Sequence, residues 1–351
     1  MQNTIMNTDD IVIVGGGIVG TTIACEAIKR HPEKSISLIE KRICGSGSTL
    51  YSAGVHFPRG INERVREMSQ YSHDYYQPHL SGGVPFYALP IELITAKTHL
   101  EETLRSYLPL TDFTPAKMSN PASDISINRT EKVMLHGKGA HYTDVFALTQ
   151  KWLLALRPLV EVCEGVSVIA LRPKYGGYQL TLSDGSARHA GQVVLAPGPW
   201  LAEPAWRERI GELGIRVKKV VAVHIAKQPE PNAALTIFHD EDAFLLPCHS
   251  RGYWLFSYTC QEWDVLPQDI APLQAHDLMQ ARAILNQYAP SLAAEIKDGR
   301  VFCDAYSPSR EPVIARLDEH LIFAGGANGS GYRLAPAIAA DVVHLLTHAT
   351  F

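Results

Sequence analysis

The sequence lacks a block of basic residues, a long apolar run and any CxxC pair of cysteines. Charged residues make up 19% of the 351 positions and the formal net charge is -4, so there is no basic surface of the kind that attracts nucleic acids or anionic membranes. No apolar run reaches the roughly 18 residues of a membrane span. The six cysteines have neither zinc nor redox spacing and are expected to be reduced thiols. The first residues contain no basic-then-apolar leader, so a cytoplasmic protein is expected.

The rest of the composition is that of a folded chain with two domains. Hydrophobic residues account for 46% of the chain, and 351 residues exceed the roughly 100–200 residues of one domain. Near the termini, strand and helix patterns alternate at residues 11–14, 18–29, 35–39, 321–324 and 335–346. Short strands joined by turns dominate residues 216–258, with strands predicted at residues 216–225, 234–238, 243–247 and 253–258. These patterns predict parallel units from both ends of the chain, an antiparallel sheet from the middle, and domains that are discontinuous in sequence.

A glycine-rich turn follows the first predicted strand. Gly15, Gly17 and Gly20 form the pattern GxGxxG. The first glycine permits a tight turn, the second lets a pyrophosphate approach the backbone, and the third lets helix and strand pack closely. The helix that begins at Ile18 and Val19 directs its unsatisfied N–H groups at the phosphates. The motif therefore predicts a dinucleotide site.

Three further features favour one dinucleotide. Glu40 ends the second strand about 20 residues after the glycines, where an acid accepts ribose hydroxyls and repels the 2′-phosphate of NADP. The motif lies early in the chain, as in FAD enzymes, and residues 325–331 form a second glycine-rich turn before the last helix. Such a turn can bring backbone amides against an isoalloxazine edge, although a plain strand-to-helix connection has the same pattern. FAD is therefore the expected cofactor.

Four stretches of the chain share one resemblance: residues 11–20 with Glu40, residues 48–58 (STLYSAGVHFP), residues 193–200 (VVLAPGPW) and residues 303–336, which end in GGANGSGYRLAP. Together they resemble the D-amino acid oxidase superfamily of FAD-dependent oxidoreductases, which includes glycine oxidase and monomeric sarcosine oxidase. The second stretch is similar to the small and hydroxyl residues that line the flavin in this family. The third is similar to its strand and AxGxW turn. Residues 60–140 match no pattern of the family.

The resemblance implies an α/β (α+β) fold of the glutathione-reductase-2-like FAD/NAD(P)-binding type. A Rossmann-type FAD-binding domain of residues 1–80, 141–215 and 300–351 is expected, with a mostly antiparallel β-sheet substrate domain of residues 81–140 and 216–299. The residues expected to contact FAD are Gly15, Gly17, Ile18, Val19, Gly20, Glu40, Lys41, Ser48, Thr49, Ser52, Ala53, Gly54, Val168, Ala196, Gly198, Trp200, Cys303, Gly326, Asn328, Gly329, Ser330, Gly331, Tyr332, Arg333 and Leu334.

Cys303 bears on how the flavin is held. The pattern from Cys303 to Tyr306 resembles the site where monomeric sarcosine oxidases bond a cysteine to the flavin, whereas Asp304 and Arg310 differ from that site. Residues 48–58 are more similar to the glycine oxidases, which hold FAD non-covalently. Non-covalent FAD is therefore expected. A thioether to Cys303 is the alternative, and a small buried thiol explains the residue without any flavin contact.

Oxidation of an amine by a flavin depends mainly on how the substrate Cα–H is oriented. A substrate carboxylate needs a cation, best an arginine that binds both oxygens. Arg333 is the first candidate, because sarcosine oxidases carry a basic residue in the same turn, and Arg310 is the second. Tyr258, or Tyr253 by strand alternation, is a candidate aromatic contact. His56 is a candidate ring contact or proton relay.

Two other features have simpler explanations. Arg59 is a third possible anchor, but a surface charge on a loop explains it equally well. His136 and His141 are separated by a glycine-containing segment and predict a turn, and no cluster of side chains has metal-ligand spacing. No metal is therefore expected.

The expected reaction converts a small amine or amino acid to an imine, with O2 as the electron acceptor and H2O2 as a product. One alternative is a dehydrogenase of the same fold that passes electrons to a quinone or protein acceptor. Others are an oxidase of a 2-hydroxy acid, an oxidase of a carrier-bound biosynthetic intermediate, and a non-catalytic flavoprotein. Fold alone does not distinguish among these functions.

Overall fold

The computed structural model describes residues 7–81, 85–116 and 125–347. The described chain forms two compact units. Unit 1 comprises residues 7–52, 144–217 and 304–347, and unit 2 comprises residues 53–81, 85–116, 125–143 and 218–303. Residues 53–80, 141–143 and 300–303, which were predicted to belong to the FAD-binding domain, lie in unit 2, whereas residues 216 and 217, predicted to belong to the substrate domain, lie in unit 1. The predicted domains also include residues 1–6, 82–84, 117–124 and 348–351, which lie outside the described residues.

The helices and strands of the described chain are, in order, β1 (Asn7–Val14), α1 (Ile18–Arg30), β2 (Ile36–Glu40), α2 (Ser48–Tyr51), β3 (Val55–His56), α3 (Glu63–Tyr76), β4 (Phe86–Ala96), α4 (Leu100–Arg105), β5 (Thr114–Pro115), β6 (Lys132–Thr143), α5 (Val145–Leu156), β7 (Glu161–Glu164), β8 (Val168–Lys174), β9 (Gly177–Leu182), β10 (Ala187–Leu195), α6 (Arg207–Ile210), β11 (Arg216–Ile225), β12 (Leu235–Phe238), β13 (Ala243–Cys248), β14 (Tyr253–Tyr258), α7 (Ala275–Leu285), α8 (Pro290–Ala294), β15 (Ile296–Tyr306), β16 (Val313–Asp318), β17 (Leu321–Gly325) and α9 (Gly331–Thr347). None of these helices is both long and apolar enough to cross a membrane.

Unit 1 is built on a parallel sheet with the strand order β16-β17-β10-β1-β2-β7. β16 is antiparallel to β17, and the β8–β9 hairpin continues the sheet beside β10. Ile11 and Ile13 are completely buried, as expected for β-branched residues in a sheet that is covered on both faces. Val12 and Val14 pack with Leu180 of β9 in one apolar cluster. α1 packs against α5 and α9.

Unit 2 is built on a second sheet, with the order β15-β11-β14-β13-β12-β4-β6-β3 and β5 beside β6. From β11 to β3 the neighbouring strands are antiparallel, except that β12 runs parallel to β4. Trp254 and Phe256 of β14 pack with Leu285 of α7 and Leu292 of α8 in one buried cluster. Burial of this kind supplies roughly 25 cal/mol per Å² of apolar surface removed from water.

The predicted fold class, a Rossmann-type unit and a second, mostly antiparallel sheet, is confirmed. β11 and β14 have the predicted bounds. The predicted turn between His136 and His141 is wrong, because β6 continues through both residues. Gly139 has a φ of +91° there, and the pairing with β4 shifts its register between Leu89 and Ile91. The glycines therefore form a bulge within a strand.

Candidate functional site

The carboxyl ends of four strands in unit 1 meet at one edge of the parallel sheet. β1, β2, β10 and β17 are parallel neighbours, so their last residues lie on the same side. We call the turns that follow these strands, residues 15–20, 40–52, 196–200 and 325–331, the carboxyl edge. Ligands of open parallel sheets bind outside the carboxyl ends of the strands. The carboxyl edge is therefore the candidate site of unit 1.

The three glycines of the first turn serve different purposes. Gly15 has a φ of +108°, and a Cβ there would lie 2.2 Å from the carbonyl oxygen of Ala196. A Cβ on Gly20 would lie 1.9 Å from the carbonyl oxygen of Gly15. A Cβ on Gly17 would meet only the hydroxyl of Thr49, at 3.2 Å. Packing of the chain therefore requires Gly15 and Gly20, whereas Gly17 leaves the backbone open to a ligand.

Two side chains place oxygen atoms at the start of α1. Thr49 Oγ1 accepts the N–H of Ile18 at 2.9 Å, and Glu40 Oε2 accepts the N–H of Gly16 at 2.8 Å. The N–H groups of Val19 and Gly20 also belong to the first turn, which has no acceptors within the helix. They lie at the positive end of the helix dipole. The start of α1 therefore has the donors that pyrophosphate oxygens need.

The next part of the carboxyl edge follows β2. Lys41 Nζ lies 4.4 Å from the centre of the Trp200 ring and 3.0 Å from Glu203 Oε1. A Cβ on Gly47 would lie 2.9 Å from the same indole, so Trp200 packs directly on the chain that enters α2. Gly198, with a φ of +57°, makes the turn that brings Trp200 there. Ser48 and Ser52 belong to the same segment as Thr49.

The turn between β7 and β8 is hydrogen-bonded to the end of β2 and the loop after it. The N–H of Val166 donates to the Glu40 carbonyl at 3.2 Å, and the N–H of Gly165 donates to the Arg42 carbonyl at 2.9 Å. Val168, which opens β8, follows directly and is buried. Glu164 accepts the N–H of Cys44 at 2.7 Å, and thereby holds the loop after β2 in place.

The turn before α9 completes the carboxyl edge. φ is +62° at Gly326, +55° at Asn328 and +74° at Gly329. α9 contains 17 residues, and its first-turn N–H groups and positive end lie at this edge, like those of α1. A Cβ on Gly331 would have no atom within 4 Å. Tyr332 and Leu334 are buried; burial alone raises the pKa of Tyr332 well above its ordinary value, so the phenol stays neutral.

The two leading candidate arginines both lie in unit 1. Arg333 is half-buried in the first turn of α9 and donates from Nη2 to Ser330 Oγ at 2.8 Å. Arg310 is exposed in the turn between β15 and β16, with a φ of +61°. Its N–H donates to the carbonyl of Ser307 at 3.2 Å. Ser307 is in turn bonded to Asn328, so the structure links the turns that carry the two arginines.

Tyr258, a candidate substrate contact, faces the interior of unit 2. Its hydroxyl donates to the Asp277 carbonyl at 3.2 Å and lies 3.1 Å from Gln280 Oε1, both on α7. Burial, followed by the charge of Asp277, raises the pKa of Tyr258, so it stays a neutral donor. Tyr253 lies on the opposite face, with its ring 4.6 Å from that of His224. Strand alternation thus turns Tyr258 towards α7, where its hydroxyl contacts the helix.

The other unit 2 candidates are also buried. His56 is fully buried; its ring lies 4.8 Å from that of His141 and 5.5 Å from that of His73. Burial lowers the pKa of His141 to about 3 and also lowers that of His73, so these two imidazoles are neutral. Cys303 on β15 is buried and forms no disulfide. Ala53 and Gly54 begin unit 2.

The carboxyl edge fits an FAD molecule. The first turns of α1 and α9 offer N–H donors to anionic or carbonyl oxygens. Gly17 and Gly331 leave space on the backbone. Each Glu40 oxygen accepts one backbone N–H and retains capacity for a ribose hydroxyl. In the described parts of the chain, no group of three or more His, Cys, Asp or Glu side chains is arranged to hold a metal ion.

Sequence reasoning missed two residues that shape this edge. Glu164 secures the loop after β2, and Ser307 secures the turn before α9. Glu164 lies outside the four stretches that carry the resemblance, Ser307 lies in the fourth without an assigned role, and their partners Cys44 and Asn328 are 120 and 21 positions away. The single available signal was that Glu164 ends a short strand near a glycine, which is too common a pattern to indicate a site.

The chain matches one family model, and its fold is similar to those of several solved structures. A family model described as "FAD dependent oxidoreductase" (DAO) matches residues 10–345. The fold is similar to that of L-proline dehydrogenase from P. horikoshii, with a TM-score of 0.82 at 20% identity over 98% of this chain and 94% of the other. It is also similar to glycine oxidase from Geobacillus kaustophilus (TM-score 0.77, 18% identity, 97% and 95% of the two chains). L-alpha-glycerophosphate oxidase from Mycoplasma pneumoniae has a TM-score of 0.77 at 17% identity, over 97% and 95% of the chains. No curated protein matches at a significant level.

Proposed function

The chain belongs to the DAO family of FAD-dependent oxidoreductases, and from this premise we propose a function. We propose that the protein oxidises the C–N bond of a small amine or amino acid and uses O2 as the final electron acceptor. The observation that carries this proposal is the carboxyl edge, where two helix N-termini converge beside the open backbone of Gly17 and Gly331. L-proline dehydrogenase and glycine oxidase, which share the fold, support an amino-acid substrate.

The carboxyl edge supplies separate contacts for the parts of FAD. The first-turn N–H groups of α1 would hold the pyrophosphate, and Glu40 would accept a ribose hydroxyl. The first turn of α9, with Gly329 and Gly331, offers N–H donors to the isoalloxazine. FAD, when bound, supplies the hydride acceptor of the reaction. We propose non-covalent binding, because residues 48–58 resemble those of the glycine oxidases, which hold FAD non-covalently. Acid precipitation tests this directly, since a thioether to Cys303 would keep the yellow colour in the pellet.

Arg333 is the proposed anchor for a substrate carboxylate. Its guanidinium is a planar fork of five N–H donors that matches the two oxygens of a carboxylate, and its Nη2 donates to Ser330 Oγ. Ser330 fixes the orientation of the guanidinium at the start of α9. Arg310 is the second candidate, because its side chain is exposed and is less restricted in its orientation. The role of either arginine is to orient the substrate carbon.

The proposal is tested by anaerobic titration of the purified flavoprotein. Glycine, sarcosine, L-proline, small D-amino acids, 2-hydroxy acids and glycerol 3-phosphate are added in turn while the visible flavin band is followed. Rapid bleaching by an amino acid or amine supports the proposal. Bleaching only by glycerol 3-phosphate or a 2-hydroxy acid would replace it with an alcohol oxidation, which the likeness to glycerophosphate oxidase makes the second candidate.

Once a substrate that bleaches the flavin is known, two variants identify the arginine that binds its carboxylate. Arg333→Met is expected to raise KM for an amino acid about 100-fold, because a charge-assisted bidentate pair contributes about 3 kcal/mol. Arg310→Met serves as the matched control, with a change below about threefold. The reverse ranking would make Arg310 the anchor, and equal small effects would remove both.

The electron acceptor is tested separately from the substrate. Admitting air to the reduced protein is expected to restore the flavin band within seconds and to yield one H2O2 per substrate. A reduced flavin that persists in air, but is reoxidised by a quinone analogue, would instead establish a dehydrogenase. The substrate proposal survives either outcome, because it depends only on the anaerobic step.

A further inference from the structure

One side chain joins the turn before α9 to a second turn of unit 1. Oδ1 of Asn328 accepts the N–H of Ser307 at 3.0 Å, and Nδ2 donates to Ser307 Oγ at 3.1 Å and to the Gly326 carbonyl at 2.8 Å. The backbone N–H of Asn328 donates to the Ala305 carbonyl at 3.1 Å. Asn328 therefore connects the end of β15, the turn after it and the glycine turn within one hydrogen-bonded unit.

Asn328 also has a backbone conformation that few side chains adopt. Its φ is +55°, in the left-handed region that favours glycine and that asparagine tolerates better than most residues. Both N–H groups of its amide are used by Ser307 and Gly326. The side chain therefore has no donor left for a bound molecule. Any effect of Asn328 on a ligand must pass through the backbone that it holds.

The backbone around Asn328 has few side chains that restrict it. Gly326, Gly329 and Gly331 have no side chains to restrict them, and glycine loses more conformational freedom on ordering than any other residue. Fixing one backbone residue costs about 1–2 kcal/mol. A turn that is already ordered avoids this cost when a ligand binds, and its N–H groups need no rearrangement.

We propose that Asn328 is a positioning residue for FAD. It holds the turn at residues 329–331 and the first turn of α9 so that their N–H groups face the cofactor. The inference rests on the proposed FAD-dependent function. The same bonds fix the turn of Arg310, whose N–H donates to Ser307. They also hold the turn that leads into α9, whose first turn carries Arg333. Asn328 thus acts on the backbone next to the two candidate arginines and not on the substrate.

A double-mutant cycle on the full chain tests the inference. Asn328→Gly keeps the left-handed backbone but removes all three side-chain hydrogen bonds. Ser307→Ala removes the acceptor of one of them. FAD is titrated into the apoprotein, and the dissociation constant, the visible flavin spectrum and the reduction potential of the bound flavin are measured. Asn328→Gly is expected to weaken FAD about tenfold and to shift the flavin spectrum, since each lost hydrogen bond contributes about 0.5–1.5 kcal/mol.

The cycle separates positioning from a merely structural role. If the two residues act together, Ser307→Ala weakens FAD in the wild-type background but has little further effect after Asn328→Gly. Asn328→Asp, which tolerates the same φ and keeps an acceptor for Ser307, should recover part of the affinity. Asp112→Gly is the matched control: it places glycine at another left-handed position, φ +50°, in unit 2, and should leave FAD affinity and spectrum unchanged.

Two results would overturn the inference. The first is an unchanged affinity and flavin spectrum in Asn328→Gly. The second is a fall in the melting temperature of the apoprotein that accounts for the whole loss of affinity, with an unaltered spectrum and potential. A wild-type protein that binds no FAD would instead overturn the proposed function itself, so the two failures are distinguishable.

Discussion

The two edges of the parallel sheet in unit 1 use their polar groups in opposite ways. At the amino edge, where the strands begin, Arg188 of β10 is 7% exposed and bonds Asp9 of β1, Ser37 of β2 and Glu161 of β7. At the carboxyl edge the strands end in glycine turns. The amino edge thus pairs its charges across four strands, whereas the carboxyl edge presents backbone N–H groups.

This difference follows from the direction of the strands. Each helix that follows a parallel strand starts at the carboxyl edge, so first-turn N–H groups without helical acceptors collect there. The amino edge has no such donors to offer. Its polar side chains can instead satisfy one another, which favours stability. We therefore expect substitutions at the two edges to separate folding from cofactor binding.

The largest effect is expected where a carboxyl-edge glycine is required by packing. Gly20→Ala would place a Cβ 1.9 Å from the Gly15 carbonyl oxygen. Neither backbone can move without displacing α1 from β1, so the free energy of unfolding should fall by about 4 kcal/mol or more. The measurement is chemical denaturation followed by tryptophan fluorescence. Gly211→Ala, where φ is -58° and a Cβ meets no atom within 4 Å, is the control and should be near neutral.

A substitution at the amino edge is expected to lower the free energy of unfolding and to leave the affinity for FAD unchanged. Arg188→Met leaves the buried carboxylate of Asp9 without its cation, which costs about 3 kcal/mol of unfolding free energy. The dissociation constant for FAD should stay within about twofold of wild type, because the cofactor contacts lie at the other edge. Lys29→Ala breaks an exposed pair with Glu26 in the same unit and should cost below about 0.5 kcal/mol. A large loss of FAD affinity in Arg188→Met would show that the edges are coupled.

A substitution of Gly17 is expected to weaken FAD binding and to leave stability nearly unchanged, because packing does not require a glycine at this position. Gly17→Ala adds a methyl group that meets only the Thr49 hydroxyl, at 3.2 Å, and its φ of -72° suits any residue. Unfolding free energy should change by less than about 1 kcal/mol, whereas FAD should bind at least about tenfold more weakly because the methyl group occupies its approach. Isothermal titration and denaturation of the same sample measure both. Unchanged FAD affinity would count against the carboxyl edge as the cofactor site.

The smallest effect is a dependence on pH at the amino edge. The hydrogen bond from Arg188 holds the pKa of Glu161 below its ordinary value of 4.5. Glu161 therefore contributes stability that is fully present above pH 4.5 and is lost as the pH falls through the lower folded pKa. Glu161→Gln should flatten this acid-side slope in denaturation experiments between about pH 6 and about pH 3. Parallel slopes in the two proteins would exclude Glu161 as the cause.

Local patterns in the sequence were enough for much of unit 1 and for part of unit 2. Gly15, Gly17, Gly20 and Glu40 were identified because a strand, a tight turn, a helix and a second strand follow one another within about 30 residues. β11 and β14 were predicted with their observed bounds. In each case the determining interactions, alternation and turn chemistry, lie within a few residues along the chain.

The sequence alone thus determined the fold class, the glycine turn and the expected cofactor. Tertiary structure alone decided that β6 passes through His136 and His141, that Tyr258 faces α7, and that Asn328 bonds Ser307. Each of these depends on a partner that is remote in sequence: β4 for the bulge in β6, α7 for Tyr258 and the turn after β15 for Asn328. The residues next to a side chain in sequence do not indicate which distant group will be its hydrogen-bond or packing partner, because that group comes near only when the sheets assemble.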